Sequence, residues 1–132
     1  MIASLIMPSV FSERPPSEHV ASNQLAFAIR DAFPVSPGHT LVVPFREVVT
    51  WFDASTDEKK AILDLVEVVT IQLDRDLRPQ GYNVGFNAGA AAGQTVNHLH
   101  VHVIPRFAGD VPDPRGGVRW VLPEKAAYWA RK

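Results

Sequence analysis

The sequence predicts an α+β domain, in which an antiparallel sheet of about five strands packs against one long helix and a short helix closes the C-terminus. Three observations carry that prediction. An apolar stripe at three- and four-residue spacing runs from residue 56 to about 77, enough for one long helix. The runs QLAFAIR (24–30) and TLVVPF (40–45) read as strands, and residues 31–39 between them are too few for a parallel crossover, so the pair is antiparallel. Finally, 132 residues suit a single core, and no repeat, low-complexity tract or linker divides them, so residues 1–132 form one domain.

Taken in chain order, residues 1–20 mix an apolar opening with Pro8, Pro15 and Pro16 and read as an irregular or briefly helical lead-in. The first strand ends at Asp31. PVSPGH (34–39) is turn chemistry, with two prolines fixing φ and Gly38 permitting a positive φ, and TLVVPF follows as the second strand. Ser55 with Glu58 three residues on is a capping-box signature. Ile62, Leu65, Val66, Val69, Leu73 and Leu77 form the helix stripe, and Pro79 and Gly81 stop it. Val68 and Ile71 lie off the stripe, as candidates for a subunit contact. YNVGFN (82–87) reads as a third strand, AGAAAGQT (88–95) as a small-residue loop and VNHLHVHVIPRF (96–107) as a fourth strand. VRWVL (118–122) is a candidate fifth strand, and Pro123 opens a short terminal helix through EKAAYWAR.

Composition removes several functions. A net charge of −1 leaves no basic footprint for sequence-independent nucleic-acid binding, so an anionic ligand must be held locally. With no cysteine, thiolate-zinc sites, disulfides and a cysteine nucleophile are excluded. The apolar start lacks a charged leader region and is interrupted by Pro8, so the expectation is a soluble, cytoplasmic protein with neither export signal nor membrane span.

Alternation along a strand puts His98, His100 and His102 on one face and Leu99, Val101 and Val103 on the other, core-facing side. One metal ion is a poor explanation for all three. Alternate strand residues stand roughly 6.5 to 7 Å apart, and zinc draws its ligands to about 2 Å. Two of them with His39 could chelate an ion, which leaves a metal-binding strand protein as an alternative. A row of imidazoles suits a polyphosphate better: one ring attacks phosphorus while its neighbours donate to the oxygens. Gly89 and Gly93 let backbone approach a ligand, and Gln94 and Thr95 offer donors just before the histidines, although the lysine-bearing P-loop pattern is absent.

His98-Leu99-His100-Val101-His102-Val103-Ile104 matches the His-φ-His-φ-His-φ-φ signature at all seven positions. In this, and in PVSPGHTLVVP, NAGAAAGQTVNHLHVHVIPR and GDVPDPRGG, the chain resembles the histidine triad (HIT) superfamily. The branch it is similar to holds the fragile-histidine-triad dinucleoside polyphosphate hydrolases and their bacterial relatives, and the likeness covers roughly residues 24–119. The resemblance implies a HIT-like fold and a nucleotide hydrolase or transferase acting at the α-phosphate through a nucleotidyl-histidine. It implies that His100 is the nucleophile, that His98 and His102 contact phosphate and orient it, and that His39 supports them. Gln94 and Thr95 match positions that hold the phosphates and leaving group. Asn87 matches an asparagine that contacts phosphate in the related nucleoside phosphoramidases. Asp31 matches a residue binding the ribose hydroxyls, while Ile29, Leu41 and the lead-in LIMPSVF match the base pocket. Also implied are a homodimer, a nucleotide as the small-molecule partner, and no cofactor for the covalent step beyond a divalent cation carried on the substrate phosphates; in such a dimer the C-terminal YWARK is a candidate to reach the partner's site. Arg46, Arg106, Arg115 and Arg119 are candidates for steering an anionic substrate. A nucleotide-binding module without turnover is the remaining alternative.

Overall fold

A computed structural model describes residues 8–130. Its sheet holds five antiparallel strands: β1 (His19–Ser22), β2 (Ala26–Arg30), β3 (Thr40–Pro44), β4 (Gly81–Gly85) and β5 (Val101–Arg106), in the spatial order β1-β2-β3-β5-β4. The helix α1 (Thr56–Leu77) crosses one face.

The fold class stands, but the strands are not all the expected ones. β1 falls in what reads as an irregular lead-in. It is four residues long and follows two prolines, so no alternation announces it. Asn23 makes the turn to β2: its side-chain oxygen accepts from the amides of Leu25 and Ala26, and its Nδ2 donates to the Ala61 carbonyl of α1, so Gln24 and Leu25 are turn rather than strand. Residues 118–122, the candidate fifth strand, instead enter a 3-10 turn (Gly117–Val121). Gly116 and Gly117 take φ of 92° and 46°, Trp120 Nε1 donates to the Arg115 carbonyl, and Arg119 donates to the carbonyls of Ala126 and Lys125, folding the segment on itself. The terminal helix shrinks to 3-10 turns at Pro123–Lys125 and Tyr128–Ala130.

Helix α1 keeps its predicted limits. The Ser55 hydroxyl accepts from the Glu58 amide at 3.0 Å and the Glu58 carboxylate from the Ser55 amide at 2.8 Å, satisfying two orphan donors of the first turn. Ile62, Leu65, Val69 and Leu73 are buried with Val42, Leu99, Val101 and Val103 of the sheet. Val68 and Ile71 are exposed, as the stripe predicts. Arg78 ends the helix at φ 50°.

The opposite face of the sheet has its own smaller core, Phe27, Ile29, Leu41 and Val43 beneath Phe11 of the lead-in. This is the face onto which His102 projects, level with Leu41 on β3. Among the described residues, no helix is long and apolar enough to cross a membrane.

Candidate functional site

The β2–β3 turn and the approach to β5 bring the histidines together. Gly38 is forced by its surroundings: at φ 83°, a Cβ there would lie 2.7 Å from Leu73 Cδ2 and 2.8 Å from Leu77 Cδ1. The end of α1 thereby sets where the next residue, buried His39, enters the sheet.

The hydrogen-bond partners fix each tautomer. The Val35 amide donates to His39 Nδ1 at 3.1 Å, so the His39 proton sits on Nε2. From there it is directed to His102 Nδ1 at 2.9 Å, with an oxygen of Asp31 3.4 Å away. His102 therefore carries its own proton on Nε2, for which the described residues provide no partner. Burial holds both rings below the usual imidazole range, and His102 is pushed down to about 4, with neighbouring His100 and His39 adding to the effect of burial. Both are neutral at pH 7.

His100 lies just ahead of β5. Its Nδ1 is 2.8 Å from the His98 carbonyl, which can only accept, so the proton is on Nδ1 and Nε2 presents a lone pair with no partner among the described residues. Its ring stands 5.1 Å from that of His102 and 4.8 Å from Phe11, centre to centre. A neutral imidazole with its lone pair free, beside a second imidazole offering a proton, is a nucleophile next to a donor.

His98 departs from the expected role. Its ring is completely buried, Nε2 donating to the Pro44 carbonyl at 2.8 Å and Nδ1 accepting from the Ser9 hydroxyl at 2.5 Å. No ring nitrogen remains for a phosphate; His98 orients His100 through its main-chain carbonyl. The same bonds shorten the expected strand 96–107 to Val101–Arg106: the Pro44 carbonyl is taken by a ring, and the Leu99 amide donates to the Val48 carbonyl instead of joining the ladder.

The remaining candidates divide. Asp31 joins the cluster: one carboxylate oxygen accepts from the Phe33 amide at 2.8 Å and the other faces His39. Asn87 is exposed, two residues past the end of β4. Thr95 is exposed. Gln94 is committed to its own loop, accepting from the Gly89 amide and donating to the carbonyls of Val49 and Val96. Gly89 and Gly93, at φ 94° and 93°, bracket the small-residue turn that it closes. Ile29 and Leu41 are core beneath Phe11 rather than the walls of an open cavity. Of the lead-in LIMPSVF, Leu5, Ile6 and Met7 lie outside the described residues, as do Arg131 and Lys132 of YWARK.

The four arginines are each tied locally. Arg46 pairs with Glu58, Arg106 with Asp110 and Arg115 with Asp113, while Arg119 lies over the Tyr128 ring. Open clefts of about 740 and 760 Å³ flank the β2–β3 turn, the first lined by Asp31 and His39 and the second by Ile104, Arg106 and Trp120. Asp31, His39 and His102 bring one potential ligand atom each within 4.8 Å of one another. The two ring nitrogens already share a proton at 2.9 Å, so the trio is a hydrogen-bond relay as it stands. Ser9 and Phe11 belong to the lead-in expected at the base pocket; the structure sets them against His98 and His100, about 90 residues on, contacts that nothing local to either residue marks.

Residues 13–109 match the HIT domain family model. The AP-4-A phosphorylase of Mycobacterium tuberculosis is 38% identical over 69% of this chain and 47% of its own length. The asymmetrical bis(5'-nucleosyl)-tetraphosphatase of Schizosaccharomyces pombe is 35% identical over 76% of this chain and 56% of its own. Three of the curated relatives that the chain matches are covered over only 47% to 64% of their length. A crystal structure of a member of the HIT family from Bacillus subtilis superposes with a TM-score of 0.71 at 28% identity, over 79% of this chain and 77% of that one.

Proposed function

This chain belongs to the HIT domain family, and from that premise we propose that it is a nucleotide hydrolase or transferase that cleaves a dinucleoside polyphosphate, or a related nucleotide conjugate, at the α-phosphate. The observation that carries the reading is the His98 carbonyl holding His100 Nδ1–H at 2.8 Å, which leaves the Nε2 lone pair without a partner among the described residues.

The Nε2 lone pair forms a bond to the α-phosphorus as the bond from phosphorus to the leaving oxygen or nitrogen breaks. Positive charge appears on the His100 ring, where the His98 carbonyl stabilises it through Nδ1–H. Negative charge on the phosphoryl oxygens and leaving group meets His102 Nε2–H, backed through Nδ1 by His39 and Asp31. An acceptor then attacks phosphorus, the N–P bond breaks and its electron pair returns to Nε2. With water as acceptor the products are those of a hydrolase; the tetraphosphatase and phosphorylase names of the two relatives differ in this step. Asn87, Thr95 and the loop closed by Gln94 hold the phosphates, and Asp31 binds the ribose as well as His39. Ile29 and Leu41 back the base pocket from beneath.

The nucleophile is a ring nitrogen, so the covalent step needs no resident cofactor; a divalent cation arrives with the substrate phosphates. The reading also places the protein in the cytoplasm as a homodimer, with exposed Val68 and Ile71 of α1 at the contact. A panel of dinucleoside tri- and tetraphosphates and nucleoside phosphoramidates, quenched within one turnover and examined by mass spectrometry, tests it. A nucleoside monophosphate mass on the peptide holding His100, absent from His100→Ala, is expected. Turnover in His100→Ala at the wild-type rate would refute the mechanism.

A further inference from the structure

The lead-in before β1 has no part in the transfer just described, yet residues 9–12 are fastened to the histidine motif and its neighbour Glu47. The Ser9 amide donates to Glu47 Oε1 at 2.9 Å and the Ser12 hydroxyl to Glu47 Oε2 at 3.0 Å. Phe11, only 8% exposed, sets its ring 4.8 Å from His100 and 5.9 Å from His98. Between these holds, Ser9 Oγ lies 2.5 Å from His98 Nδ1.

The direction of that last bond is determined. The Pro44 carbonyl can only accept, so the His98 proton is on Nε2 and Nδ1 is the acceptor. The oxygen of Ser9 takes the amide protons of Phe11 and Ser12 at 3.2 and 3.1 Å, leaving its own hydroxyl proton to give. The other acceptor near it, Ser12 Oγ, is 3.4 Å away and is itself donating to Glu47. The serine hydroxyl thus satisfies the one remaining polar atom of a fully buried ring.

We infer that Ser9 is a positioning residue for His100 and that Glu47 holds Ser9 in place. The path is continuous: the Ser9 hydroxyl fixes the His98 ring, the ring fixes the peptide that follows it, the carbonyl of that peptide takes His100 Nδ1–H, and the His100 lone pair is left on Nε2. Without Ser9, a buried nitrogen lacks a partner, the ring is free to tilt or to exchange tautomers, and the carbonyl that aims His100 moves with it. A small displacement of an attacking atom is enough to slow a reaction by about two orders of magnitude. The effect on rate rests on His100 being the nucleophile; the effect on ring protonation does not.

Ser9→Ala, Ser9→Thr and Glu47→Ala should be compared with the wild type in two measurements. Long-range nitrogen–proton NMR of the imidazoles reports which ring nitrogen holds each proton, and a rapid-quench burst on a dinucleoside polyphosphate reports the nucleotidylation rate. In the wild type, His98 carries its proton on Nε2 and His100 on Nδ1. Ser9→Ala should shift the His98 Nδ1 resonance, mix the His100 tautomers and lower kcat roughly 10- to 100-fold while KM stays within about threefold. Ser9→Thr, which keeps the hydroxyl, should restore most of the rate, and Glu47→Ala should act like Ser9→Ala but more weakly. Wild-type tautomers in Ser9→Ala overturn the inference, as does an equal loss in Ser9→Ala and Ser9→Thr, which would mark simple packing. If Ser9→Ala fails to fold, Glu47→Ala decides: unchanged ring nitrogens and rate overturn the inference, and mixed tautomers with a slower burst support it. If the wild type forms no nucleotidyl-histidine, the function proposed above falls, and the ring nitrogens of the variants still decide the role of Ser9.

Discussion

An imidazole attacks through one nitrogen, and what distinguishes the four histidines of the cluster is where each keeps its other one. In His98 both are engaged and in His39 both are directed inward, so neither ring has a nitrogen to offer a ligand. Among the described residues, His102 keeps one donor and His100 one lone pair without a partner. His100→Asn should therefore keep nucleotide binding while abolishing the covalent adduct, because His102 Nε2–H and the phosphate-side groups remain; calorimetric titration with a non-hydrolysable dinucleoside polyphosphate measures the first and intact mass the second. An affinity loss above about 100-fold would show that His100 chiefly binds rather than attacks. Strict alternation in HLHVHVI, together with the resemblance, was enough to single out His100 from sequence. The different fate of His98 was not legible there, since it depends on a carbonyl at Pro44 and a hydroxyl at Ser9, contacts made only once distant segments meet.

Among the elements, those with local punctuation are the ones that the sequence discloses. Helix α1 carries a cap at Ser55, a stripe and a proline stop, and its observed bounds match the expected ones. β1 has no such marks and exists because β2 offers it an edge. Residues 118–122 have strand composition, but Gly116 and Gly117 start a 3-10 turn before it can extend. The capping box makes a measurable claim: Ser55→Ala should cost about 1 kcal/mol in urea denaturation, with an unchanged m-value. Gly38→Ala should cost more, about 1 to 3 kcal/mol, as a positive φ and contact with Leu73 and Leu77 both oppose a methyl group. Because His39 is the next residue, the same substitution should also weaken the bond from His39 to His102, visible as a changed His102 titration by NMR. A destabilised variant whose His102 titrates as in the wild type would separate the turn from the relay.

For the whole molecule, burying three neutral imidazoles ties stability to pH. Burial holds His39, His98 and His102 below the ordinary range, His102 to about 4, whereas each titrates near the usual 6.5 once unfolded. Between those values the unfolded chain binds more protons than the folded one, so stability must fall as pH falls from about 7 towards 4 and then level off for these groups. For His102 the loss between pH 8 and 5 is about 1 to 2 kcal/mol, allowing for its partial exposure. Glu58 acts in a lower window: the Arg46 guanidinium and the Ser55 cap hold its carboxyl down at about 2, so the stability it contributes is present above about 4.5 and is lost as pH drops towards 2. Two acid-side declines are therefore expected, one above pH 4 from the histidines and one below 4.5 from Glu58. Urea midpoints measured from pH 8 to 3 resolve them: His102→Asn should make the upper decline shallower, leaving the share of His39 and His98, without changing the lower one, and Glu58→Gln should remove the lower one and leave the upper. A wild-type midpoint that stays level between pH 7 and 5 would mean that the rings take up protons as readily in the folded state as in the unfolded one. The neutral relay of His39 and His102 would then be lost as the pH falls below neutral.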